Sequence, residues 1–251
     1  MTICAGSVPG AHCGRGAKTM LLNLFKVSKP NESDADSRLA SLPHVQPDPA
    51  LRPIVLDAWA CGQAIDIKDA VYGPAHWKDN KPFHDEGFPY YCFLAGFVRS
   101  QSCKRVFEIG THYGGSTLAM SYGGATDILT VDISDLNQAL HGAVGITKLT
   151  GDANSSRIIK ESVVHFGGRP IDLLYVDAAH KFAPTTINLG LYCFLLKPRL
   201  AIIDDILLNP EMRNVWNALQ ATHGTDAINC VDVVPEIRAP NVGFGLLRLR
   251  E

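Results

Sequence analysis

The stretch that most constrains this chain is Arg105-Val-Phe-Glu-Ile-Gly-Thr-His-Tyr-Gly-Gly-Ser-Thr-Leu-Ala119. It reads as a buried strand, a glycine turn and the first turn of a helix. Val106 to Ile109 are apolar apart from Glu108, Gly110, Gly114 and Gly115 break the run, and Ser116 and Thr117 lead into a helical stretch. Glycines at such a turn let backbone approach a ligand closely, and a helix N-terminus presents N–H groups without intrahelical partners. A second strand, 127–132, ends in Asp132. That is the distance at which a βαβ unit holds a nucleotide ribose.

The rest of the chain can be placed around this unit. Downstream, strands at 128–131, 146–149, 171–176 and 200–203 alternate with helices at 116–122, 156–166, 183–195 and 211–222, and a further helix falls within 136–143. The run 171–176 is the most apolar and should be central. The segments 227–234 and 243–249 read as two strands of a hairpin. Alternation of this kind predicts an α/β fold: a Rossmann-like, doubly wound, mostly parallel seven-stranded sheet with a C-terminal antiparallel hairpin. One domain over 51–251 is expected. Its N-terminal part, 51–100, has helices at 54–67 and 90–99 and an aromatic, His- and Asp-rich lid over 72–91. Residues 1–50 are rich in Gly, Ser, Pro, Asp and Asn and read as a flexible arm, with a short helix around 20–27.

A net charge of −2 and the lack of any Lys/Arg run speak against a nucleic-acid partner. No apolar stretch approaches the roughly 20 residues that span a bilayer, so no membrane is expected. Arg15 and Lys18 precede an apolar run too short for a secretory signal. The seven cysteines are scattered without a C-x-x-C pair, as in a cytoplasmic protein with reduced thiols. Apolar residues near the N-terminus are compatible with a homodimer.

The glycine turn separates two cofactor classes. A dinucleotide turn wants G-x-G-x-x-G, but the position two after Gly110 is His112. Glu108 also sets a carboxylate at the strand end, where two phosphates would be repelled. A ligand with a positive centre tolerates it, which favours the sulfonium of S-adenosylmethionine over NAD.

Glu108-x-Gly110-x-x-x-Gly114-Gly115-Ser116-Thr117, followed by Asp132 and then Gly151-Asp152-Ala153, resembles the class I S-adenosylmethionine-dependent methyltransferases over about residues 85 to 250. The resemblance implies that Glu108 and the loop backbone of Gly110, Gly114, Ser116 and Thr117 lie at the methionine end of the cofactor. Asp132 would take the ribose hydroxyls, and Asp152 with Ala153 would frame the adenine. Asp132 and Asp152 can also be simple turn or capping acids.

Two further clusters follow strand ends: Asp177-Ala-Ala-His180 and Asp204-Asp205. Ligands of open α/β sheets bind outside the carboxyl ends of the strands. Adjacent central strands would bring Asp177, Asp204 and Asp205 within reach of one another. Three carboxylates that close repel unless a cation joins them, and oxygen-only ligation suits Mg2+, or Mn2+ or Ca2+. This pattern resembles the metal-dependent small-molecule O-methyltransferases of the catechol, caffeoyl-coenzyme A and antibiotic-sugar type. In the catechol type a Lys serves as base three residues after the strand-four acid. Here that position is His180, with Lys181 beside it, and His180 is expected to be the base. The expected reaction is therefore a metal-assisted transfer of a methyl group to a hydroxyl of a small molecule. Cephalosporin hydroxylases resemble the same pattern, and a non-catalytic cofactor-binding or interaction protein is the third reading. The residues His76, Trp77, His84, Asp85, Tyr90 and Tyr91 are candidates for the acceptor wall. His112 is expected to pack in the loop, and His141, His165 and His223 to lie on the surface.

Overall fold

A computed structural model describes residues 49–67, 72–73, 81–84, 88–237 and 243–249 of the protein. The arm and its short helix, and most of the lid with His76, Trp77 and Asp85, lie outside the described residues. The helices are α1 (Leu51–Gln63), α2 (Phe88–Ser100), α3 (Gly115–Tyr122), α4 (Ser156–Phe166), α5 (Phe182–Leu196) and α6 (Pro210–His223). The strands of the main sheet are β1 (Arg105–Ile109), β2 (Asp127–Asp132), β3 (Ile146–Thr150), β4 (Leu173–Val176), β5 (Leu200–Ile203), β6 (Ala227–Asn229) and β7 (Gly245–Arg248).

The seven strands lie in the order β3-β2-β1-β4-β5-β7-β6. The first five are parallel, and β7 runs antiparallel between β5 and β6. The doubly wound sheet with its C-terminal antiparallel pair is the expected fold. Pleating divides its side chains between two cores. Val106, Ile128, Leu173, Tyr175, Leu200 and Ile202 pack beneath α1, α2 and α3. Phe107, Ile109, Leu129, Leu174, Val176, Ala201 and Ile203 pack beneath α4, α5 and α6. Successive residues of a strand point to opposite faces, so a sheet buried on both sides reads as continuous apolar runs.

Local chemistry sets the helix ends. Ser155 caps α4 and Gly167 ends it at φ 58°. The Asn209 side chain accepts from the Met212 N–H at 2.9 Å, and Pro210 opens α6. Three expected elements are shorter than the sequence suggests. The Ile171 N–H is taken by the Leu196 carbonyl, so β4 begins at Leu173. Within 136–143 there is only a 3-10 turn, Gln138–Leu140, with Gly142 at φ 76° just beyond it. The 227–234 segment is a strand only to Asn229, whose side chain accepts from the Val231 N–H and starts a 3-10 turn. Within the expected lid, Tyr72–Gly73 and Phe83–His84 form a two-residue parallel pair. Among the described residues, Cys61, Cys92, Cys103, Cys193 and Cys230 are free thiols, and no helix is long and apolar enough to cross a membrane.

Candidate active site

The chain reverses its direction of travel across the sheet between β1 and β4, which are adjacent. The crevice at such a switch point is where open α/β sheets bind ligands. Here the strand ends are stitched sideways. The Gly110 N–H donates to the Val131 carbonyl at 2.8 Å, Asp177 N–H to Ile109 at 2.8 Å, and Asp204 N–H to Val176 at 2.9 Å. Gly110 has φ 101°, and a Cβ there would sit 1.8 Å from the Asp177 carbonyl oxygen. Only glycine permits both the backbone angle and the approach. The glycine turn and the Asp177 segment therefore form one wall.

Glu108 is fully buried and accepts hydrogen bonds from Ser116 Oγ at 2.5 Å and from Thr117 Oγ1. Burial raises its pKa to about 7, against the lowering effect of these hydroxyls and of Thr130. The Glu108 carboxylate and the Ser116 and Thr117 hydroxyls thus bind one another, and they clamp α3 onto β1. What the turn can present to a cofactor is the N–H groups of the first helical turn. Gly114 sits at φ 90° as the residue before α3.

Asp132 lies half-buried at the end of β2. Its Oδ2 accepts from the His112 N–H at 2.8 Å, and its Oδ1 from the Ser134 N–H at 2.9 Å and Ser134 Oγ at 3.0 Å. A carboxylate has about four acceptor positions, so one remains for a ribose hydroxyl. Asp152 is exposed and accepts from the Asn154 N–H at 2.8 Å, an Asx turn ahead of α4. Ala153 is buried, with its carbonyl bonded by Tyr192 Oη at 2.6 Å. His112, at φ 45°, is exposed and packs edge-on to Tyr113 at 4.4 Å.

The ionisable cluster differs from the expected acid trio. His180 Nε2 lies 3.1 Å from Asp177 Oδ1 and 3.0 Å from Asp205 Oδ2. One ligand atom from each of Asp177, His180 and Asp205 falls within 4.8 Å of the others. Such a set of two carboxylates and an imidazole fits a divalent cation. Asp204 is nearby but differently used. It is buried, its Oδ2 accepts from Tyr90 Oη at 2.8 Å and Tyr175 Oη at 2.6 Å, and its Oδ1 accepts from the Asp205 N–H at 2.7 Å. The Tyr90 and Tyr175 hydroxyls also touch each other. Sequence reasoning placed Tyr90 on the acceptor wall and missed Tyr175, whose signal is a lone hydroxyl in an otherwise apolar strand.

Charge follows this geometry. The hydrogen bonds to Asp177 and then Asp205 lift His180 to about 10. His180 can serve as the expected base, or as a metal ligand, only once the proton it shares with the two carboxylates has left. Burial raises Asp177, the His180 hydrogen bond opposes that, and Asp205 adds to it. Asp204 is pushed well up by burial and by the charges of Asp177 and Asp205. Backbone strain gathers here too: Ala179, His180 and Asp205 have φ of 66°, 45° and 57°. Non-glycine residues held in this region persist where the surroundings force them, and they cluster at functional sites.

Of the other histidines, His141 is exposed as expected. His165 Nε2 pairs with Asp127 Oδ1 at 2.8 Å, and His223 Nε2 is buried. Both are less open than the sequence suggested.

No protein-family model and no curated protein matches this chain. Solved structures do resemble it. The O-methyltransferase TomG from Streptomyces achromogenes, involved in tomaymycin synthesis and solved with S-adenosylmethionine, is 18% identical. It covers 87% of this chain and 96% of its own, with a TM-score of 0.49. An O-methyltransferase from Bacillus cereus in complex with SAH is 15% identical, covers 86% and 97%, and has a TM-score of 0.45. Cofactor-bound Rv0187 from MTB is 19% identical, covers 89% and 100%, and also scores 0.45. At such identities and TM-scores the function of this chain has to be read from its own residues.

Proposed function

We propose that this protein is an S-adenosylmethionine-dependent O-methyltransferase acting on a hydroxyl of a small molecule, assisted by a divalent cation. The observation that carries the reading is the shared wall of Gly110 and Asp177, where a Cβ would lie 1.8 Å from a carbonyl. It sets the cofactor-type turn directly against the ionisable cluster. A methyl donor held by the turn would then meet an acceptor held by Asp177, His180 and Asp205.

Each residue has a role in that reaction. The backbone at Gly110 and the first turn of α3 hold the methionine end, and Asp132 takes the ribose. Glu108 acts indirectly, by fixing α3 on β1. A divalent ion such as Mg2+, held by Asp177 and Asp205 with His180 beside them, would lower the pKa of the acceptor hydroxyl. Asp177 is the carboxylate placed beside the acceptor to take its proton. The oxygen then attacks the sulfonium methyl in line. A C–O bond forms, the C–S bond breaks, and neutral S-adenosylhomocysteine leaves.

The test is calorimetric binding of S-adenosylmethionine to the full chain, followed by assay for S-adenosylhomocysteine across alcohols, phenols and sugars. Binding and turnover are expected, and Gly110→Ala should weaken binding by about 5- to 150-fold, because a clash in a packed wall costs about 1–3 kcal/mol. No cofactor binding, or reduction of NAD by an alcohol, would sink the reading. Binding without turnover across the whole panel would make the chain a cofactor-holding protein instead.

A further inference from the structure

We infer that Asp177, His180 and Asp205 form a mixed nitrogen–oxygen metal centre in which His180 Nε2 is a ligand, and which prefers a first-row transition ion such as Mn2+, Fe2+ or Co2+ to Mg2+. The inference deepens the methyl-transfer reading and rests on it for the chemistry the ion would serve. The metal site itself can be tested apart from that chemistry.

The three acids differ in how far their surroundings leave them open to an ion. The sequence offers Asp177, Asp204 and Asp205, an all-oxygen set. Asp204 is removed from it by its surroundings: it is 3% exposed, with two tyrosine hydroxyls on Oδ2 and the Asp205 N–H on Oδ1. Alternation along β5 explains the removal. Leu200 and Ile202 belong to the core under α1–α3, and Asp204 continues their face toward Tyr90 of α2 and Tyr175 of β4. The left-handed backbone at Asp205, φ 57°, then turns the next carboxylate the other way, onto His180.

His180 fills the third position. Its Nε2 is 3.1 Å from one carboxylate oxygen and 3.0 Å from the other. Two ligand atoms at right angles around an ion with bonds of about 2.1 Å stand about 3.0 Å apart. The separations already match neighbouring corners of a coordination shell. An imidazole among the donors changes the preference. Mg2+ favours oxygen ligands and keeps its waters, whereas imidazole suits Fe and Zn, and mixed His/carboxylate sites hold non-haem iron and catalytic zinc. Asp204 becomes a positioning residue, which fixes Asp205 through its N–H without touching the ion.

The experiment titrates the EDTA-treated full chain with Mn2+, Co2+ and Mg2+ by calorimetry, with and without S-adenosylhomocysteine. Melting curves check each variant's fold. One Mn2+ per chain is expected, bound at least about tenfold more tightly than Mg2+. His180→Gln should weaken Mn2+ by at least about tenfold and change the visible spectrum of bound Co2+. Equal affinity for Mg2+ and Mn2+, an unchanged Co2+ spectrum in His180→Gln, or no metal binding in either condition would overturn the inference. Cofactor binding without metal binding defeats this inference alone. Metal binding without cofactor binding or turnover defeats only the methyl-transfer reading.

Discussion

Glu108 shows how a single buried carboxyl can be structural and titratable at once. Its folded pKa, raised to about 7 by burial, lies above its ordinary value of 4.5. A group raised in this way favours the folded state most below its unfolded pKa, and that contribution is lost as pH climbs through the folded value. Wild type should therefore lose stability between pH 4.5 and about 7 relative to Glu108→Gln, which stays neutral throughout. Urea melts of both proteins at pH 4.5, 6 and 7.5 measure the difference, and a constant gap would contradict it. The same residue marks a limit of reading sequence. The strand-end position of Glu108 was legible, but not that Ser116 and Thr117 would spend their hydroxyls on it. Nor was the division between Asp204, which continues the α1–α3 face of β5, and Asp205, which turns to the cleft. Tyr90, the partner of Asp204, lies 114 positions away, and the turn of His180 onto two carboxylates depends on positive φ that residue type does not announce.

At the scale of elements, apolar periodicity located nearly every helix and strand, because a sheet buried on both faces writes continuous apolar runs. It overran where local hydrogen bonds compete with the regular ladder: at Ile171, at Asn229, and between Asn137 and Gly142. Helix docking was less visible. α1 and α2 meet through glycines, so closely that a Cβ on Gly96 would lie 1.9 Å from the Ala58 carbonyl and 2.3 Å from the Gly62 nitrogen. Both of those atoms are backbone and cannot rotate away. Gly96→Ala is expected to push α1 off α2 and cost about 1–3 kcal/mol, the usual range for overpacking. Limited proteolysis should then cut within 51–63 well before the sheet is attacked. Unchanged stability with α1 still protected would show that the close glycine contact is not needed to hold α1 on α2.

Across the whole molecule, the buried Asp204 is where the ends of the described chain meet. Tyr90 reaches it from α2 near the beginning, Tyr175 from β4 in the middle, and Phe244, just before β7, stacks on Tyr90 with ring centres 4.7 Å apart. Phe93 stacks on the other neighbour of that contact, 5.4 Å from Phe244. The helical cover, the parallel sheet and the C-terminal pair are thus tied around one carboxylate. Two phenols that donate to one oxygen and touch each other form a shared network, so their removals should not add. Tyr90→Phe or Tyr175→Phe alone should each cost about 1–3 kcal/mol by stripping a donor from a buried acid. The double variant should differ from their sum by about 0.5–3 kcal/mol. Urea unfolding followed by tryptophan fluorescence and by circular dichroism gives all four corners of the cycle. Strict additivity would mean that the tyrosines act separately, and two resolved transitions would mean that the helical cover folds apart from the sheet. A single cooperative transition with a non-additive cycle is the expected result, because the same acid that organises Asp205 at the cleft also closes the fold around it.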